Sequence, residues 1–191
     1  MVDFPTTAAW RHLDARVGFE VLFLHREADG YHLEGHSTAV EDGKAWSVRY
    51  ALTLGPGWTT GSVHIVGRSE GGANEVRLEG DGAGAWRVDG KPAPELTGCL
   101  DVDLEASAFT NALPVNRLRL EVGQRADAPA VYVRAFDLRV ERLEQHYTRL
   151  QDDGEHRRYD YAAPAFGYRD ELAYDEFGLV FSYPGIAVRV A

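Results

Sequence analysis

Five Asp-Gly pairs punctuate the chain, at Asp29-Gly30, Asp42-Gly43, Asp81-Gly82, Asp89-Gly90 and Asp153-Gly154, each close to alternating apolar and polar residues. Asp-Gly supplies the positive φ angles of tight hairpin turns, whose twist matches that of the strands they join. Five hairpins are therefore expected. Gly55-Pro56-Gly57, Gly71-Gly72, Glu176-Phe177-Gly178 and Tyr183-Pro184-Gly185 add further breaks. A turn then recurs roughly every 10 residues, the spacing of an all-β sandwich or barrel.

Strands are expected at Ala8–Leu13, Phe19–Arg26, Tyr31–Val40, Ala45–Leu54, Trp58–Arg68, Glu75–Gly80, Ala85–Val88, Asn116–Val122, Val131–Val140, His156–Ala162, Tyr168–Tyr174, Leu179–Tyr183 and Ile186–Val190. Period-two alternation carries these assignments: it sets Tyr159 and Tyr161 opposite Arg158 and Asp160, and groups Phe181 and Tyr183 with Leu179. Residues 137–150 are ambiguous. Val140, Leu143, Tyr147 and Leu150 form a helical stripe, yet the β-branched residues upstream favour a long strand ending at the Asp153-Gly154 turn. One short helix is expected over Ala108–Ala112, capped by Ser107 and stopped at Leu113 by Pro114. No linker or repeat divides the chain, so residues 1–191 read as a single domain. About a dozen strands exceed what a flat open sheet carries comfortably. The expected fold is an all-β antiparallel meander curled into a barrel or half-barrel, with at most one or two short helices.

Composition narrows the function classes. Twenty Lys and Arg against thirty Asp and Glu give a formal charge of −10, a field that repels phosphate backbones, so nucleic acid is not an expected partner. The single cysteine, Cys99, permits no intrachain disulfide. Residues 1–7 have neither a basic nor an apolar export segment, and no run of about 18 apolar residues occurs, so a cytoplasmic protein without integral membrane association is expected.

The chemistry-bearing residues are few. His32 and His36 sit four apart, and on a strand that separation is about 13 Å, too wide for a shared zinc, so no metal site is expected. Asp101 and Asp103 share one face of an extended segment about 6.6 Å apart, a spacing that a glycosidic acid and base can use and that loop carboxylates accepting backbone N–H groups also show. Cys99 has no neighbouring base and fits a buried packing role. Aromatic residues spread over many strands, Trp10, Trp46, Trp58, Trp86, Tyr132, Tyr159, Tyr161, Tyr168, Phe181 and Tyr183, fit either a packed core or a concave ligand-facing wall.

Residues 98–104, Gly-Cys-Leu-Asp-Val-Asp-Leu, with Thr110-Asn111-Ala112-Leu113-Pro114-Val115-Asn116-Arg117-Leu118, resemble the central signature of the putative glycolipid-binding family of bacteria, a domain of unknown function. Trp10-Arg11-His12-Leu13-Asp14 with Gly18 and Glu20 is similar to the family's opening, Trp86-Arg87-Val88-Asp89-Gly90 to its middle hairpin, and Gly178-Leu179-Val180 with Tyr183-Pro184 to its close. Ser107-Ala108-Phe109 departs from the Ser-Pro or Thr-Pro step of the pattern. The resemblance implies a fold like that of the barrel-like lipoprotein carriers and anchors of the bacterial envelope, and it brings no catalytic residues with it.

Together these readings give a binding protein that holds an amphiphile, a lipid or glycolipid, in the concavity of a curved sheet, with no cofactor. Tyr161, Phe181 and Tyr183 would form the apolar wall, and Asp101, Asp103, Asn111 and Arg117 the polar end. Affinity would rise with acyl length, by about 0.8 kcal/mol per buried methylene. The alternatives are a sugar-processing enzyme with Asp101 and Asp103 as acid and base, and an interaction module that pairs through a sheet edge.

Overall fold

The computed structural model describes residues 4–191; the first three residues of the stretch read for an export segment lie outside the described residues. The chain opens as a meander of β1 (Thr7–His12), β2 (Val17–Glu27), β3 (Gly30–Glu41), β4 (Lys44–Leu54), β5 (Thr60–Ser69), β6 (Gly72–Gly80), β7 (Trp86–Val88) and β8 (Lys91–Pro92). Then come β9 (Asp101–Leu104), α1 (Ala112–Leu118), β10 (Arg125–Asp127), β11 (Ala130–Val133) and β12 (Val140–Leu143). A second meander follows, of β13 (His146–Arg149), β14 (Arg157–Ala163), β15 (Tyr168–Tyr174), β16 (Val180–Tyr183) and β17 (Ala187–Arg189).

Four of the Asp-Gly pairs fall between strands and the fifth, Asp29-Gly30, leads into β3; the four turn by two mechanisms. At Asp42-Gly43 and Asp89-Gly90 both residues adopt positive φ in two-residue turns, the backbone that Asp-Gly best supplies. Asp81 and Asp153 instead use their carboxylates: Asp81 Oδ1 accepts the N–H groups of Ala83 and Ala85, and Asp153 Oδ1 those of Glu155 and His156.

The two meanders join through β1 and β17 into one antiparallel sheet of 14 strands, in the order β10-β13-β14-β15-β16-β17-β1-β2-β3-β4-β5-β6-β7-β8. The sheet curls but does not close. Its edge strands are short, two residues in β8 and three in β10. Inside the curl lies a three-stranded sheet, β12-β11-β9, in which β9 and β11 run parallel. Alternation along this insert divides the interior. Val102, Leu104, Val131 and Val133 face the first meander and pack in a core with Trp10, Leu33, Leu52 and Ile65. Tyr132 and Leu143 face the second and pack with Tyr147, Tyr159, Tyr161 and Tyr174. Each such fully buried side chain stabilises the fold by roughly 1.5–3 kcal/mol before entropy is counted.

Three local expectations are corrected. The residues expected as a strand over Asn116–Val122 begin inside α1, which runs from Ala112 through Pro114 to Leu118 and ends on Arg119 at φ 48°. Pro114 is the third helical residue, where an N–H has no helical partner anyway, so it is tolerated rather than a stop. The helix expected over Ala108–Ala112 is a single 3-10 turn, Phe109–Asn111, leading into α1. The long strands expected through 131–150 are broken twice: Leu138 turns at φ 56° between β11 and β12, and buried Gln145 marks the step from the inner sheet to β13 of the outer one. Leu143 and Tyr147 still meet in one core, which explains their helix-like spacing without a helix.

Candidate functional site

The insert is anchored by polar contacts that the sequence pattern does not announce. Glu20 on β2 is fully buried; its Oε1 accepts the Tyr50 hydroxyl at 2.6 Å and the Ser107 hydroxyl, and its Oε2 accepts the Ala108 N–H at 2.7 Å. Burial pushes this carboxyl up, and the hydrogen bonds oppose the shift. Tyr50 reaches Glu20 by lying over Gly35, where a Cβ would stand 1.9 Å from the tyrosine Cζ. Asp101, also fully buried, accepts a bidentate fork from Arg117 of α1, at 3.0 Å from Nε and 2.6 Å from Nη2. Glu20 thus fastens the chain just after β9 to β2, and the Asp101–Arg117 pair ties β9 to α1.

What the insert leaves unfilled is a cavity of about 230 Å³ on the tyrosine side. Ordinary small-molecule sites measure about 300–1,000 Å³, so the space suits one sugar-sized group and not a long acyl chain. Alternation along β14 and β15 and the end of β16 brings Tyr161, Tyr168 and Tyr183 to its wall, with ring centroids 5.6–6.0 Å apart. Tyr161 donates to Gln145 Oε1 at 2.8 Å and Tyr168 to the Pro184 carbonyl at 3.0 Å. Burial first, and for Tyr161 and Tyr183 the nearby Asp103 second, pushes these phenols up, so they stay neutral.

Asp103 faces the same cavity from β9. It is nearly buried, accepts one hydrogen bond from Thr110 Oγ1 at 3.1 Å, and has no cation within ion-pair distance among the described residues. Desolvation pushes its carboxyl up to about 7. Across the insert Tyr132 pairs with Asp103, and the Arg134 guanidinium stacks on Tyr132 and Phe166 at 5.1 and 5.0 Å. Arg134 is matched by Glu105 and Glu141. Arg16, from the turn between β1 and β2, lies over Trp46 at 5.3 Å and donates from Nη2 to the Glu105 carbonyl at 2.7 Å. Phe166, half exposed, stands at the rim.

Of the residues singled out from sequence, the structure brings Asp103, Asn111, Tyr161 and Tyr183 to this one cavity. Asn111 is held there by the Tyr147 hydroxyl, 2.9 Å from its Oδ1. Asp101 and Arg117 are bound to each other and do not line it, so the two carboxylates of β9 do not flank a common space. Phe181 is separated from Tyr183 by a register shift opposite Ala173 and Tyr174; it stacks on His156 at 4.0 Å on the exposed side. Cys99 is buried beneath Arg142 and its thiol is pushed up to about 11, mainly by desolvation. Sequence reading passed over Arg16, Glu105 and Arg134. No spacing marks them, because each reaches the cavity from a different turn or strand end. A larger, more open cleft of about 530 Å³, beside Phe4 and Phe177, takes in Trp58 and Tyr159 of the aromatics expected for a concave wall, but none of Asp101, Asp103, Asn111, Arg117, Tyr161, Phe181 and Tyr183.

A curled antiparallel sheet wrapped around a three-stranded insert defines a β-barrel-like class of fold, and comparison with known proteins bears this out. A β-barrel-like protein of the DUF1849 domain of unknown function from Brucella abortus is 12% identical over 96% of this chain and 93% of its own, with a TM-score of 0.52, a likeness of fold alone. A DUF1089 family protein from Pseudomonas aeruginosa is 34% identical over 90% of this chain and 92% of its own, with a TM-score of 0.76. The family model described as putative glycolipid-binding matches residues 7–189, and the chain belongs to that family. No functionally curated protein matches it. Among the described residues no helix is long and apolar enough to cross a membrane.

Proposed function

We propose that this protein binds an amphiphile of the glycolipid type through its headgroup, which occupies the cavity between the insert and the second meander. The observation that carries the reading is the pairing of a tyrosine wall, Tyr161, Tyr168 and Tyr183, with a single under-bonded carboxylate, Asp103. Aromatic faces cover the apolar C–H surface of a sugar ring, while a carboxylate and neutral phenols exchange hydrogen bonds with its hydroxyls. The cavity size limits what enters to the headgroup. The aliphatic part then lies outside, against Phe166 and Ile186 at the rim. This alters the expectation drawn from the sequence: affinity rises over the first few methylenes that touch the rim and then levels off.

Two measurements test the reading. Native mass spectrometry of protein purified from cells without detergent should show a retained small molecule. Titration with alkyl glucosides of increasing chain length should give binding that Tyr183→Ala weakens at least tenfold while the fold persists. Absence of both the adduct and glucoside binding refutes the proposal.

A further inference from the structure

The arginines shielded from solvent in this fold are matched with carboxylates, with one exception. Arg117 pairs with Asp101, Arg149 with Asp152 and Arg189 with Asp175. Arg16 is 8% exposed, and among the described residues no carboxylate oxygen lies within 4 Å of its guanidinium. Its protein contacts are the Glu105 carbonyl and the face of Trp46, and its Nε is buried with no partner. A buried charge is costly unless it is paired, so an arginine held this way is a receptor awaiting a counter-ion.

The surroundings show where that counter-ion would come from. Glu105 is taken by Arg134 and by the Ala135 N–H, and Glu41 accepts from Trp46 Nε1 at 3.3 Å. His12, the neighbour on β1, is neutral, and its Nδ1 also lacks a partner. Asp103, the remaining carboxylate of the wall, makes its one hydrogen bond to Thr110 and stays apart from Arg16. The cavity therefore offers a cation and a hydroxyl acceptor at separate points of its lining.

We infer that the headgroup is an anionic sugar, its carboxylate or phosphate accepted by Arg16 and a ring hydroxyl donated to Asp103. This rests on the headgroup reading above and narrows it. A planar guanidinium grips either anion through two parallel N–H bonds, which a neutral sugar cannot engage with equal strength.

The test is calorimetric titration at pH 7 with three probes sharing one chain: octyl glucoside, octyl glucuronide and octyl glucoside 6-phosphate. At least one anionic probe should bind tenfold or more tightly than the neutral one, and which of them does so tells carboxylate from phosphate. Arg16→Gln should bring the anionic and neutral affinities within twofold of each other, and Arg16→Lys should fall between. The inference is overturned if the wild type binds all three alike, or if the anionic preference survives in Arg16→Gln; octyl glucoside binding then still upholds the headgroup reading. If none of the three binds, the headgroup reading fails and the inference with it. The wild-type comparison decides the matter even where a variant does not fold.

Discussion

Replacing Asp103 by Asn removes a titrating group from the wall of the cavity while preserving its shape and its acceptor for Thr110. The folded carboxyl titrates at about 7 against an ordinary value of 3.8. Between those values the folded chain holds a proton that the unfolded chain has released, so stability falls as pH rises through the window. At 1.36 kcal/mol per unit the loss is about 4 kcal/mol across it. His12 works in the opposite direction: burial lowers it from 6.5 to about 4, so its contribution rises by about 3 kcal/mol as pH rises from 4 to 6.5. The two slopes mask each other in the wild type, and a variant exposes them. Urea unfolding followed by tryptophan emission, at constant ionic strength between pH 4 and 8, should show Asp103→Asn gaining about 4 kcal/mol relative to wild type from the acid to the alkaline end. His12→Asn should show the reverse trend. A difference between Asp103→Asn and wild type that stays constant within about 1 kcal/mol over that range would refute the assignment of a desolvated, unpaired Asp103.

Other consequences of the geometry are open to direct measurement. Arg117→Met strands the Asp101 carboxylate without its fork and should destabilise the fold by about 3–5 kcal/mol in urea unfolding, whereas Asp101→Leu combined with Arg117→Met should recover much of that loss. Tyr50→Phe withdraws one donor from buried Glu20 and should cost about 1–3 kcal/mol, read in the same assay. Gly35→Ala drives the Tyr50 ring off its seat and should lower the melting temperature at least as much as Tyr50→Phe. Cys99, buried and with its thiol pushed up to about 11, should remain inert to an aromatic disulfide reagent at pH 8 and react on unfolding; reaction in the folded state would show that the site breathes.

The legible part of the fold was the part encoded by near neighbours. Asp42-Gly43 and Asp89-Gly90 dictate their turns through their own backbone angles, and β2, β3, β4 and β5 follow from alternation between such turns. Of the inner sheet, β11 overlaps the strand expected at Val131–Val140, but the pairing was not legible, because β9 and β11 pair in parallel across an intervening helix, and every residue of both strands is buried, which erases the alternation that marks a half-exposed strand. Arg117-Leu118-Arg119-Leu120 looks extended for the converse reason: it alternates by accident on a helix end. The site divides along the same line. Tyr161 and Tyr183 stand out as aromatics on strands. Arg16 does not, since its significance lies in the absence of a partner, and a sequence does not display absences of that kind.

The pairing of Trp10 with Arg189 and His12 with Ala187 has a consequence for how the molecule is made. β1 waits for β17, which follows all the other strands described, before one side of it acquires a partner. Until then the first meander can fold through contacts between adjacent strands, but its inner surface stays wet and β1 is a bare edge able to recruit a neighbouring chain. A chain in which β17 has not yet docked on β1 is thus the species most prone to self-association, and formation of that pairing is the step that removes the hazard.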